Sequence, residues 1–225
     1  MSLKKHIPNI LTLANLTAGC FGLVAAFNGD LITASYLIWV AAIFDFFDGF
    51  AARLLKVSSP IGKELDSLAD MVTFGVLPSV IVFNMLGGAS NMVNYLAFSI
   101  AIFSALRLAK FNIDESQSKS FIGVPTPANA FFVSSLPFWQ LTYPDLTTNS
   151  LILSIAVIMS LLLIAPVEML ALKFDDYKFN NNKSRYLLLL VSLGLIIVFK
   201  ALSLPIIIIF YIVLSIGRTV TKGNN

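Results

Sequence analysis

Four aspartates carry the strongest chemical signal in the sequence. Asp45, Asp48, Asp66 and Asp70 stand in the stretch DFFDGFAARLLKVSSPIGKELDSLAD, between apolar runs long enough to cross a bilayer. An Asp at the centre of a membrane helix costs roughly 2.5–3.5 kcal/mol, so four ionised, unpaired ones would cost on the order of 10 kcal/mol. A cation among them offsets that cost. In helices, Asp45 and Asp48 (i, i+3) share one face, and so do Asp66 and Asp70 (i, i+4). Two helices then offer two carboxylates each to one pocket. An all-oxygen donor set with no His or Cys nearby suits a hard cation, Mg²⁺ or Mn²⁺, over Zn²⁺. Gly49 and Ala52 leave room beside the carboxylates, Gly62 does the same at the second helix, and Arg53 brings a forked donor suited to phosphate. The expected guest is a metal-bound diphosphate.

The elements that position these residues are membrane helices. The 225 residues are 57% hydrophobic and 12% charged, with a mean hydropathy of +0.86, which fits a polytopic membrane protein of one domain spanning 1–225. The fold class expected is an all-α helical bundle of about eight spans, a six-helix core plus two C-terminal helices: 7–27, 31–55, 63–85, 91–111, 125–143, 149–172, 185–200 and 203–219. The last two could also form a re-entrant pair. The net charge of +3 is spread over inter-helix segments and forms no nucleic-acid-binding run. In an eight-span arrangement Lys4, Lys5, Arg53, Lys56, Lys63, Arg107, Lys110, Lys119, Lys173, Lys178, Lys183, Arg185, Arg218 and Lys222 fall on one side, and Lys200 alone on the other. That places both termini in the cytoplasm. Both acid pairs then lie at the same depth, on the cytoplasmic side. The first run is too long for a signal-peptide core and is read as a retained span. Cys20, the single cysteine, is expected to be a small buried side chain. His6 reads as interfacial, and Asp175-Asp176-Tyr177 with Asn180-Asn181-Asn182 as a solvated loop.

The acid stretch resembles, residue for residue, the signature D-x2-D-G-x2-A-R-x8-G-x3-D-x3-D of the CDP-alcohol phosphotransferases, through Asp45, Asp48, Gly49, Ala52, Arg53, Gly62, Asp66 and Asp70. The resemblance implies a membrane-embedded enzyme that moves a substituted phosphate from a CDP-linked donor to an alcohol and releases CMP. Pro8-Asn9 at the opening of the first span is similar to the family's first helix, which approaches the nucleotide end of the donor. Asn9 and Thr12 join the expected donor site on that ground, although Asn9, Thr12 and Asn15 equally suit helix-to-helix hydrogen bonds.

Two further stretches resemble the phosphatidylserine synthase branch: Arg107-Leu108-Ala109-Lys110-Phe111-Asn112 and Phe121-Ile122-Gly123-Val124-Pro125-Thr126-Pro127-Ala128. The branch usually has Arg where Lys110 stands. Prolines and a glycine at membrane depth free backbone groups, an arrangement tolerated mainly beside a wet cavity. The branch implies CDP-diacylglycerol as donor, L-serine as acceptor, two divalent ions held by Asp45, Asp48, Asp66 and Asp70, and Asp70 as general base. Gly49, Ala52, Arg53 and Gly62 would meet the nucleotide and phosphates. Arg107, Lys110 and Asn112 would form the acceptor site, with the serine carboxylate on Arg107. The family further suggests a homodimer in a bacterial-type inner membrane, with its active site facing the cytoplasm. Glycerol 3-phosphate or inositol as acceptor, an ion-coupled transporter and a membrane scaffold stay open on the sequence alone.

Overall fold

The computed structural model describes residues 6–57, 59–113, 121–171 and 178–223. Pro8 sits in the first turn of α1 (Ile7–Phe27), where a missing amide costs nothing. Asp30 caps α2 (Leu31–Leu55) by accepting from the Thr33 amide at 3.0 Å. The Thr33 hydroxyl and amide hold the Asp30 carboxyl below the usual carboxylate range.

A second cap opens the third rod. Ser59 accepts from the Gly62 amide at 3.0 Å, and Pro60 begins α3 (Pro60–Asp70). The rod then passes through a π-helical turn, Met71–Val76, into α4 (Leu77–Met85). A 3₁₀ segment (Met92–Phe98) leads into α5 (Ser99–Ile113). After β1 (Phe121–Ile122) come α6 (Thr126–Thr142), α7 (Asn149–Ile164), β2 (Glu168–Met169), α8 (Phe179–Phe199) and α9 (Leu204–Gly223).

Among the described residues, five helical stretches are long and apolar enough to cross a membrane: Ile7–Phe27, Leu31–Leu55, Pro60–Met85, Met92–Ile113 and Phe179–Arg218. The polarity is that of an integral membrane protein. Phe21, Phe27, Leu54, Leu190 and Ile197 point outward, while Asn15, Ser35, Thr73, Ser79 and Asn129 are fully buried.

The third rod is the centre of the bundle. It is 67% buried over its apolar window, against 33% for α1 and 28% for α2. α1 lies very close to it, because a Cβ on Gly19 would run into Thr73 and one on Gly22 into Leu77. That close approach brings the polar face of α1 against the acid-bearing helices.

Several expectations are corrected. Cys20 is exposed, because the inward positions of α1 are taken by Ala18, Gly19, Gly22 and Ala26. The run 149–172 is helical only to Ile164: Pro166 disfavours helix at Ala165, which turns extended, and the chain then pairs Ile122 with Glu168 and Phe121 with Met169 in a short antiparallel ladder. Asn180-Asn181-Asn182 forms a helical turn at the head of α8, and a kink at Asn182 (φ −121°, ψ 19°) separates that turn from the main run of the helix. Asn182 is buried, donates to the Lys178 carbonyl at 3.0 Å and accepts from Arg185 at 2.5 Å, so its amide organises the first turn. Lys4, Lys5, Lys119, Lys173 and the stretch Asp175-Asp176-Tyr177 lie outside the described residues.

Candidate active site

The two acid pairs meet where α2 and α3 adjoin α1. One carboxylate oxygen from each of Asp45, Asp48 and Asp66 lies within 4.8 Å of the others. Three carboxylates so close repel strongly in a low-dielectric setting. An oxygen-only cluster of this size fits a hard divalent cation. Asp70 stands one turn beyond Asp66, buried, at the end of α3 where the π-helical turn begins. Such turns interrupt the regular ladder and concentrate at functional sites.

α1 supplies the braces. The Thr12 hydroxyl lies 2.7 Å from Asp48 Oδ2, and Asn15 Nδ2 donates to Asp70 Oδ1 at 3.2 Å. Of the residues singled out at the head of the first span, Thr12 and Asn15 therefore touch the acids directly. Thr12 also lies 3.1 Å from the Pro8 carbonyl. Its single proton favours the nearer, charged oxygen.

A cavity of about 580 Å³ with charged and polar groups in its wall opens over the cluster, lined by Asn9, Thr12, Asp48, Gly49, Ala52, Gly62 and Asp66 among others. A Cβ on Gly62 would meet Ser59 Oγ at 3.0 Å and Asn9 Oδ1 at 3.1 Å, so a side chain there would crowd the wall. Of the donor-site residues expected from sequence, Asn9, Thr12, Gly49, Ala52 and Gly62 are on this wall. Arg53 is exposed and lies beside Gly49, its Nη1 3.6 Å from where a Gly49 Cβ would be. Lys56 and Lys63 also line the cavity. Sequence reasoning counted them only for orientation, yet they flank the linker joining the acid pairs, which was the available signal.

A second cavity, about 740 Å³ and mostly apolar, lies against the preceding stretch of α2. Trp39, Phe46, Phe47, Phe131, Ile196 and Leu204 line it, and Asp45 reaches its wall. The acid cluster thus adjoins both cavities.

The expected acceptor residues divide. Arg107, which is 7% exposed, and Lys110 line a third cavity of about 370 Å³ with Ile122 and Leu163. Asn112 is engaged elsewhere: its Nδ2 donates to Ser67 Oγ at 2.9 Å, and its carbonyl accepts from Lys63 Nζ at 2.7 Å. It ties the end of α5 to α3.

The comparisons with known proteins agree with this geometry. A CDP-alcohol phosphatidyltransferase family model matches residues 5–216. The chain is similar to a CDP-diacylglycerol–serine O-phosphatidyltransferase of Helicobacter pylori, 32% identical over 217 residues that cover 94% of this chain and 90% of the relative. A protein of the same description from Bacillus subtilis is 38% identical over 123 residues, 54% of this chain and 70% of the relative. An archaetidylserine synthase of Methanothermobacter thermautotrophicus is 28% identical over 158 residues, 68% of this chain and 66% of the relative. With the family model covering nearly the whole length and the acid cluster folded as its signature requires, the chain belongs to the CDP-alcohol phosphatidyltransferase family.

Proposed function

We propose that this protein is a CDP-diacylglycerol–serine O-phosphatidyltransferase, which converts CDP-diacylglycerol and L-serine to phosphatidylserine and CMP. The observation that carries the reading is the clustered oxygens of Asp45, Asp48 and Asp66, which adjoin both a cavity with charged and polar groups in its wall and a mostly apolar one. A donor with a polar nucleotide and two acyl chains needs that pairing of environments. The relatives' names support serine as the acceptor.

In this reading Asn9, Thr12, Gly49, Ala52 and Gly62 receive the nucleotide and diphosphate, with Arg53, Lys56 and Lys63 adding positive charge at the mouth. The acyl chains leave through the apolar side into the bilayer. Asp45, Asp48, Asp66 and Asp70 hold two divalent ions, Mg²⁺ or Mn²⁺. These would neutralise the diphosphate and the charge that develops on the departing CMP. Asp70 keeps one oxygen toward the acceptor and takes the proton of the serine hydroxyl as general base. The serine oxygen attacks the β-phosphorus, its bond to that phosphorus forms as the phosphoanhydride bond breaks, and CMP leaves. Arg107, with Lys110, receives the serine carboxylate, because the donor's phosphates already have their partners at the acid cluster.

The finer architecture follows the same reading. The whole chain works as one domain of eight crossings: α1, α2, the α3–α4 rod, the rod ending in α5, then α6, α7, α8 and α9. α9 has 20 residues, about 30 Å at 1.5 Å per residue, the thickness of a bilayer core, and α8 has 21 with a kink at Asn182 near its start. This supports two full crossings over a re-entrant pair. The site and both termini face the cytoplasm of a bacterial-type inner membrane, and the protein is a homodimer, as the family resemblance suggests. One chain per particle by mass measurement in lipid nanodiscs would contradict the dimer.

The test is an acceptor comparison. Purified protein is offered CDP-diacylglycerol with serine, glycerol 3-phosphate or inositol, and CMP release is followed. Serine should be the productive alcohol. Turnover with glycerol 3-phosphate or inositol but not serine would overturn the acceptor assignment, and substrate flux in proteoliposomes without CMP release would favour a transporter.

A further inference from the structure

Six buried polar atoms have no hydrogen-bond partner among the described residues: Asn15 Oδ1, Ser104 Oγ, Arg107 Nε, Thr126 Oγ1, and both Nδ2 and Oδ1 of Asn129. Such groups are costly and scarce in folded proteins. These are not scattered. They belong to α1, α5 and α6, and each of those helices packs on the π-helical turn Met71–Val76 that follows Asp70. Asn15 already bonds Asp70, a Cβ on Gly75 of the turn would meet Ser104 at 3.1 Å, and Arg107 is within electrostatic reach of Asp70.

Asn129 stands apart. It is fully enclosed, at 0% exposure, and neither end of its amide is bonded, although an amide offers two donors and two acceptor lone pairs. Its neighbours two residues either way, Pro127 and Phe131, face the apolar cavity behind Asp45. Asn129 therefore lies on the opposite side of α6, toward the bundle interior, with Thr126 one turn before it on the same face.

We propose that Asn129, with Thr126, is the subsite for the ammonium group of the amino-acid acceptor, and that it selects amino acids over hydroxy acids of the same length. This rests on the serine reading above. The acceptor carries two opposite charges. Arg107 answers the carboxylate, and the ammonium needs oxygen acceptors, which Asn129 Oδ1, Thr126 Oγ1 and Ser104 Oγ supply. Neutral oxygens suit the position, since a fifth carboxylate close to the four aspartates would compete for their cation.

The experiment compares L-serine with 3-hydroxypropionate, which is serine without its amino group, in the intact protein with CDP-diacylglycerol and Mg²⁺ or Mn²⁺. Asn129→Leu removes the amide at similar volume, and Asn129→Ser keeps a neutral oxygen. The Leu variant should melt no lower than wild type, because it buries no unpaired amide. Its KM for serine should rise about ten- to hundredfold, the usual range for losing a hydrogen bond to a charged group. Its KM for CDP-diacylglycerol and its rate with 3-hydroxypropionate should stay as they were, and the Ser variant should lose less. An unchanged preference for serine over 3-hydroxypropionate in both variants would mean that the amide serves only buried water, and would overturn the proposal. So would wild-type protein that 3-hydroxypropionate inhibits, competitively with serine, at a Ki as low as the KM for serine, a result that needs no variant to fold. Wild-type protein that turns over glycerol 3-phosphate but not serine would instead sink the functional reading, and the subsite with it.

Discussion

The Thr12 hydroxyl lies 2.7 Å from Asp48 Oδ2, joining α1 to the acid cluster across 36 positions of sequence. Asp48 is buried, at 6% exposure, so this hydroxyl is a main source of hydrogen bonding to that carboxylate before any cation arrives. Thr12→Val keeps the shape and removes the proton. A charge-assisted bond of this kind contributes about 1.5–3 kcal/mol, so kcat/KM should fall roughly ten- to hundredfold. Thr12→Ser should restore most of it. Steady-state kinetics of the three proteins check this, and a Val variant with wild-type efficiency would show that Asp48 needs no brace.

Removal of divalent cations should act on stability as well as on turnover. The oxygens of Asp45, Asp48 and Asp66 are within 4.8 Å of one another, so the apo protein carries their mutual repulsion. Exhaustive chelation should abolish CMP release and lower the melting temperature in detergent, and Mg²⁺ or Mn²⁺ should reverse both by binding the folded state. Asp48→Asn should be inactive, yet its melting temperature should respond much less to added cation. Full activity after chelation would contradict the cation site.

Arg107 and Asn112 were expected in one acceptor site, and the structure gives them different neighbours. Arg107→Ala should raise the KM for serine about ten- to hundredfold by removing a partner for its carboxylate, with donor KM near normal. Asn112→Ala loses its bond to Ser67 and should cost about 0.5–1.5 kcal/mol of stability with little change in serine KM. Unfolding and kinetics on both variants separate the two roles. An Arg107→Ala protein that keeps its serine KM and loses donor affinity would place Arg107 at the phosphates.

Gly123 is a backbone test of the joint between α5 and α6. It has φ +76°, and a Cβ there would run into the Leu163 carbonyl. Its amide donates to the Val167 carbonyl at 2.9 Å, which ties the loop to the segment after α7. Gly123→Ala should destabilise by about 1–3 kcal/mol, measured by thermal unfolding in detergent. A melting temperature equal to wild type would show that the turn relaxes freely.

The sequence made the acid site legible because the chemistry lives in a fixed spacing. Asp45, Asp48 and Asp66 needed only two helices and a turn to converge, and Pro60 and Gly62 announced the turn. Helix limits were equally plain where an end carries a signal: Pro8 opens α1 and Asp30 caps α2. What stayed hidden depends on facing. Cys20 and Asn15 lie in the same apolar run, and only the packing of Gly19 and Gly22 against the third rod decides which one meets lipid and which meets Asp70. The β1–β2 ladder was invisible, since two residues on each side make no pattern. Lys63 flanks the linker between the acid pairs, but its place on the cavity wall and its bond to the Asn112 carbonyl depend on how α3 and α5 pack.

The most direct measurement follows a heavy oxygen. L-serine labelled with ¹⁸O in its hydroxyl is incubated with CDP-diacylglycerol and purified protein, with and without Mg²⁺ or Mn²⁺, and lipid and nucleotide are weighed by mass spectrometry. Attack by the serine hydroxyl on the β-phosphorus predicts phosphatidylserine and CMP in equal amounts, formed only with the cation, with the label wholly in the lipid and none in CMP. Phosphatidylserine without the label, label in CMP, or CMP released with no serine lipid at all would contradict it.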